Sequence, residues 1–563
     1  MRGALVLTVA VMAGGCAGTE MANRHVEPPD LVVVNARVVT LDPRSPEGDA
    51  LAVKAGRFVY VGNSVAARAL AGPSTRVVDA QGAAIVPGLT DAHLHLLGEG
   101  FRLSRLDLSG ARSKAEVLVR LRGNASNRPG PGWLRGRGWD QNDWRGYDHP
   151  FPTAEDIDLV VSDRPVVLTR VDGHAVWVNS RALAEAGITR DTPNPDGGRI
   201  LHGAGGEPSG VLIDNAADLV LGKVPEPSHS ERREAALAAA HECVANGLTG
   251  VHEPGLSVDD IAVLEELCRE GKLPLRVYVM VSPGPAFEAL LASGPRVGLC
   301  GGRLTVRAVK LYADGALGSR GAALLADYAD ESGNRGLLVT SAEKLEAEVR
   351  RAAARGIQPC IHAIGDRANR EVLDLYERVW PDRAQRLAAR PRIEHVQVVA
   401  PADLPRFAAL GVIASMQPTH ATSDMPWAEA RLGTERLRGA YAWRTLLGSD
   451  AHLAFGSDAP VESVRPLWGL YAAVARADHA GSPSGGWQSQ EALGGDEALR
   501  AFTQGAAYAG FVEDEQGTIA TGKRADFVIL SDDPRKVAAK KLLETRVLAT
   551  YVDGTAVFEA KGN

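Results

Sequence analysis

Five short apolar runs in this chain end on residues that can hold a metal, each where Gly, Pro, Asp or Ala takes over. PGLTDAHLHL carries His93 and His95, VRAVKLY carries Lys310, QPCIHAIGD carries His362, RIEHVQ carries His395, and LAFGSD closes on Asp458. Such a junction is where a strand gives way to a loop. An H-x-H pair at a strand end puts two imidazoles on one face, because strand side chains repeat every second residue. Two imidazoles can grip a divalent metal, and a carboxylate from elsewhere can complete the site. H-x-H alone is common by chance. Its weight comes from the further ligand types at the other strand ends.

The segments between these runs read as helices. Thr340 and Glu343 form a capping-box pattern before KLEAEVRRAAARG, with Gly356 as the stop. Ser228 and Glu231 do the same before a helix that runs to Gly247 and into LTGVHE, and Pro401 to Gly411 leads into VIASMQ. Helices alternating with short apolar strands predict a parallel sheet. Polar residues gathered at successive strand ends favour an α/β fold of the (β/α)8 TIM-barrel type, whose active site is built at that face. An open doubly wound sheet is the alternative, but no glycine-rich phosphate-binding string follows any strand.

The strings VPGLTDAHLHL, GRGWDQNDW, RVDGHAVWVNS, VHEPG, VKLYADGALGSR, IHAIGD, IEHVQ, SMQPTH and FGSDAPV occur in this order. Together they resemble the amidohydrolase superfamily, and more closely its family 3, the YtcJ-like group that includes N-substituted formamide deformylases. The resemblance runs from about Asp30 to the C-terminus. It implies a barrel over residues 88–509, with inserted loops around 130–215. It also implies a small β-sandwich formed by both chain ends, residues 30–87 and 510–563. His93 and His95 would bind one metal beside Asp458, and His362 and His395 a second. Lys310 would bridge the two as a carbamate, formed once burial between dications makes its amine neutral. Two divalent ions, most plausibly zinc, would share a hydroxide that attacks the substrate, with Asp458 shuttling the proton. The implied reaction is hydrolysis of a C–N bond in a small amide, N-formyl, ureido or cyclic amide substrate. The alternatives are an esterase, lactonase or deaminase on the same scaffold, or a ligand-binding lipoprotein without catalysis.

Other residues are candidates for the pocket wall. Trp139, Asp140 and Trp144 in GWDQNDW read either as pocket lining or as rim packing, and His174 as a substrate contact or a loop histidine. Gln417 and His420, after the seventh strand, are expected to touch substrate, and His252 to be structural. The stretch Asp191 to Val211, rich in Gly, Pro and Asp, reads as a long loop of the kind that forms lids.

The net charge of −7 and the lack of a basic run argue against nucleic acid. Residues 1–16 read as a signal peptide: Arg2, an apolar run, then Cys16 after small residues. This predicts an exported protein, lipid-anchored at Cys16, with residues 17–29 as a tether and no other membrane attachment; plain signal-peptidase cleavage just beyond, giving a periplasmic or secreted protein, is the alternative. Cys243, Cys268, Cys300 and Cys360 contain no C-x-x-C pair. No disulfide framework is indicated, although an even number in an exported chain permits a bridge. A homodimer is left open.

Overall fold

The computed structural model describes residues 27–44, 47–144, 146 and 151–561. The predicted signal peptide and most of the tether lie outside the described residues. Eight parallel strands follow one another around a barrel: β1 (Leu89–Asp91), β2 (Leu248–Leu256), β3 (Arg276–Val281), β4 (Leu304–Tyr312), β5 (Gln358–Ala363), β6 (Arg392–His395), β7 (Ile413–Met416) and β8 (Leu453–Phe455). Spatial order equals chain order. The ends meet through two backbone hydrogen bonds, Ala92 N–H to Phe455 O at 3.0 Å and Asp458 N–H to His93 O at 2.7 Å. β3, β5, β6, β7 and β8 are buried at every position, as strands covered on both faces must be.

Local chemistry sets the helix ends. Ser228 and Glu231 form the expected capping box before the helix His229–Ala245, and Gly247 turns the chain into β2 with φ +90°. The helix Ala342–Ala353 starts one residue later than expected. Ser341 is its cap, accepting from Lys344 N–H, because Val339 N–H is still held by Ala313 O.

Both chain ends supply a second unit. Strands Phe527–Leu530, Val547–Val552 and Thr555–Glu559 pair on to Ala84–Pro87, Arg37–Val39 and Glu47–Gly48. A four-stranded sheet from residues 31–79 packs on this one through a shared core that includes Val33, Phe58, Ile85 and Phe527.

The insertion between β1 and β2 departs from expectation. It is no set of loops. It begins at Leu106 and contains a six-stranded sheet ending at Asp214, with its own apolar cores. Most of the stretch expected as a lid is an edge hairpin, strands Gly198–His202 and Pro208–Asp214, and none of it lines the main cavity. Cys268 is bridged to Cys300, while Cys243 and Cys360 are free and buried. Among the described residues no helix is long and apolar enough to cross a membrane.

Candidate metal centre

The barrel mouth is built from buried charge. His93 follows β1, and its N–H donates to Asp91 Oδ1 at 3.0 Å; the same carboxylate accepts from Ser457 N–H after β8. A side chain at Gly456 would collide with that carboxylate, so only glycine lets the two loops meet. The His93 ring is fixed from behind. Its Nδ1 lies 2.6 Å from Glu394 Oε2, and Glu394 Oε1 accepts from Arg392 Nε at 2.8 Å. Arg392 also donates to Ala92 O and to His252 Nδ1, the structural role expected for His252. A carboxylate behind one imidazole nitrogen leaves the other free to ligate.

That free nitrogen, Nε2, lies 3.1 Å from Lys310 Nζ and 3.7 Å from Asp458 Oδ1. Asp458 Oδ1 lies 3.3 Å from His95 Nε2, and Oδ2 lies 3.8 Å from His395 Nδ1. One ligand atom from each of His93, His395 and Asp458 falls within 4.8 Å of the others. The His362 ring stands 4.5 Å from that of His395, centroid to centroid. The structure therefore gathers all six residues expected at strand ends around one mouth. Burial favours the neutral, ligating form of three of the histidines. Burial drives His93 down to about 4, and burial foremost holds His362 and His395 well below the ordinary histidine range. Burial lowers Lys310 to about 8. Burial works to raise Asp458, but the His95, His93 and His395 rings outweigh it and keep its carboxyl well below the usual range.

Two further observations mark a site prepared for a cation. Asp458 Oδ1 is buried without a hydrogen-bond partner. His395 (φ +77°) and Asp458 (φ +58°) hold left-handed backbone angles that cost a non-glycine residue about 1–2 kcal/mol. Neutral imidazoles with a carboxylate form a donor set that fits a divalent transition metal.

The mouth opens into a cavity of about 420 Å³, lined by His95, Lys310, His362, His395, His420 and Asp458 among others. The inserted sheet adds a wall. His174 lines the cavity with its ring 4.9 Å from that of His362, and its Nδ1 lies 2.8 Å from Asp214 Oδ1. Asp140 and Asp172 also reach the cavity, clasped by the buried Arg170 between them. His420 lines it with Nε2 unpartnered, 3.7 Å from Asp458 Oδ2.

Three candidate pocket residues, Trp139, Trp144 and Gln417, are placed elsewhere. Trp139 is fully buried, donates to Leu168 O at 2.8 Å and packs against Trp177; with Trp144 it fills the core of the inserted sheet. An indole covers too much apolar area to stay at a wet rim when a core is adjacent. Gln417 does not line the cavity, because its Oε1 lies 2.9 Å from His395 Nδ1 and is taken up behind that ring.

Sequence reasoning passed over four buried acids. Glu394 and Asp91 position His93. Asp314 accepts three backbone N–H groups, from Ala323, Ile364 and Gly365, and burial raises it to about 7. Glu253 accepts from Leu96 N–H at the start of the helix Leu96–Ser104. For Asp91, Glu253 and Glu394 a charge inside an apolar strand was the available signal, since such a group is buried only with partners.

A family model described as "Amidohydrolase family" matches residues 76–558. The chain is 37% identical to the putative amidohydrolase YtcJ of Bacillus subtilis, over 86% of this chain and 91% of that one. It is 30% identical to the N-substituted formamide deformylase of Arthrobacter pascens, over 95% and 99%. Among solved structures, an uncharacterised metal-dependent hydrolase from Pyrococcus horikoshii superposes with a TM-score of 0.73 at 28% identity, over 90% of this chain and 99% of that one.

Proposed function

The chain belongs to the amidohydrolase family, and from that premise we propose that it hydrolyses a C–N bond in a small amide-type substrate at the barrel mouth. N-formyl amines and other N-acyl amines are the first candidates, since the Arthrobacter relative is named as an N-substituted formamide deformylase. The observation that carries this reading is the cluster of the buried His93, His362, His395, Lys310 and Asp458 with the half-buried His95 at the ends of β1, β4, β5, β6 and β8.

His93, His95, His362, His395 and Asp458 would hold two divalent ions, zinc by the chemistry of the donors, with Lys310 carboxylated between them. Bound there, such ions polarise a carbonyl and make water acidic enough to attack near neutral pH. Glu394 keeps His93 in one ring orientation while substrate enters. Asp458 would take the proton of the attacking water and return it to the departing nitrogen, a base that becomes an acid. His420 and the His174–Asp214 pair face the bound carbonyl and acyl group, and the inserted sheet selects the substrate's shape.

The same reading includes export and lipid anchoring at Cys16. The Cys268–Cys300 bridge supports export alone, because disulfides persist outside the reducing cytosol. The test is a hydrolysis screen of metal-loaded protein against N-formyl amines, N-acyl amino acids, hydantoins, aryl amides and lactones, alongside Asp458→Asn. Turnover of an amide that is lost in the variant supports the proposal. Turnover of lactones alone, or equal turnover by both proteins, defeats it.

A further inference from the structure

A second cleft, of about 580 Å³, lies between the helix Leu96–Ser104, the end of the helix Lys114–Asn127, the strand Leu134–Trp139 and the helix His229–Ala245. Its walls carry Arg105, Arg128 and Arg135. Arg128 is held by Ser104 O at 2.8 Å, and Arg135 by Pro225 O. The Arg105 guanidinium makes no hydrogen bond among the described residues and lies over the Phe101 ring, 4.0 Å from the centroid. None of the three has a carboxylate within 4.0 Å among the described residues.

The neighbours show that this is local. Arg232 and Arg233, on the same helix that floors the cleft, are paired with Glu226 and Asp260 and with Glu266 and Glu270. Two acids line the cleft against four arginines, the fourth being Arg164, and Glu231 offsets only part of the charge on Arg105 and Arg135. Glu231 accepts from Ser228 N–H and Oγ–H at 2.7 and 2.8 Å, and Glu234 from Ser230 Oγ–H at 3.1 Å. The cleft is thus positive in a chain of net charge −7. Like charges partly removed from water are costly unless a counter-charge arrives. Burial foremost, and Arg135 next, pull the Arg105 guanidinium down to about 10.

We propose that this cleft is a binding site for a phosphate group, gripped by Arg105 and Arg135 with Arg128 at its edge. A guanidinium presents paired N–H donors that match two phosphate oxygens. Phe101 and Trp133 beside the arginines offer apolar surface to an organic substituent. The site is separate from the metal centre and does not depend on the proposed reaction.

The experiment is isothermal titration calorimetry of the metal-loaded full chain with inorganic phosphate at fixed ionic strength, repeated with glycerol phosphate. Saturable binding of one phosphate per chain is expected, weakened at least about tenfold by Arg105→Ala and, independently, by the more conservative Arg135→Gln. Tighter binding of glycerol phosphate would assign the site to an ester, and equal binding to the free ion; both support it. No binding by the wild-type chain overturns the proposal. So does binding that both variants retain in full, because the phosphate would then sit elsewhere, at the metal centre for instance.

Discussion

The barrel mouth and the inserted sheet handle polar groups in opposite ways. At the mouth, charge is inside: Arg392, Glu394 and His93 are fully buried and satisfy one another. In the insertion, Trp139, Trp144 and Trp177 fill the interior, and the polar residues Asp140, Asp172 and His174 sit at its margin on the cavity. A buried polar network holds its members to one geometry, because any broken pair leaves an uncompensated charge. The rim is tied as well, by the buried Arg170 to Asp140 and Asp172 and by Asp214 to His174, but it rests on an apolar core and not on the candidate ligands. The proposed function would place the chemistry that needs fixed ligands in the first region and the selection of substrate shape in the second.

That contrast can be broken by substitution. The largest effect should come from Asp458→Asn, which is nearly isosteric: kcat falls by at least ~100-fold while the melting temperature holds, read by steady-state kinetics and calorimetry. Glu394→Gln touches no substrate, yet should weaken metal binding about 10–100-fold in chelator competition, since it removes the carboxylate behind His93. His174→Ala, in the insertion, should raise KM about tenfold with metal content unchanged, consistent with one lost polar contact. If it strips metal instead, the division between the regions fails. Trp139→Phe should cost about 1–3 kcal/mol of stability and leave the rate per bound metal unaltered. A changed substrate preference in that variant would return Trp139 to the pocket.

The gathering of these six residues was legible because strand ends in a barrel share a face, so a run that ends on His, Lys or Asp identifies its position without knowledge of its neighbours. Glu394 was not. Regular alternation places adjacent residues on opposite faces, so His395 as a ligand seemed to turn Glu394 away. The left-handed φ of His395 breaks the alternation, and both side chains reach the centre. The insertion was misread for a different reason. Gly, Pro and Asp between 191 and 211 have the composition of a loop, but GRILH and PSGVLID each run long enough to pair as strands. Trp139 follows a glycine at a strand end and so looked like a rim residue. Only its ring contact with Trp177, 38 positions away in the chain, makes it core. Gln417 shows the same limit, as its partner His395 comes from the preceding strand.

The central claim is that the barrel mouth is a metal site. Elemental analysis of the full chain, purified from zinc-supplemented medium without chelators, tests it most directly. The account predicts two transition-metal ions per chain, lost together with activity in His93→Ala and His395→Ala. A chain that carries no metal and still hydrolyses its amide substrate at full rate would contradict it.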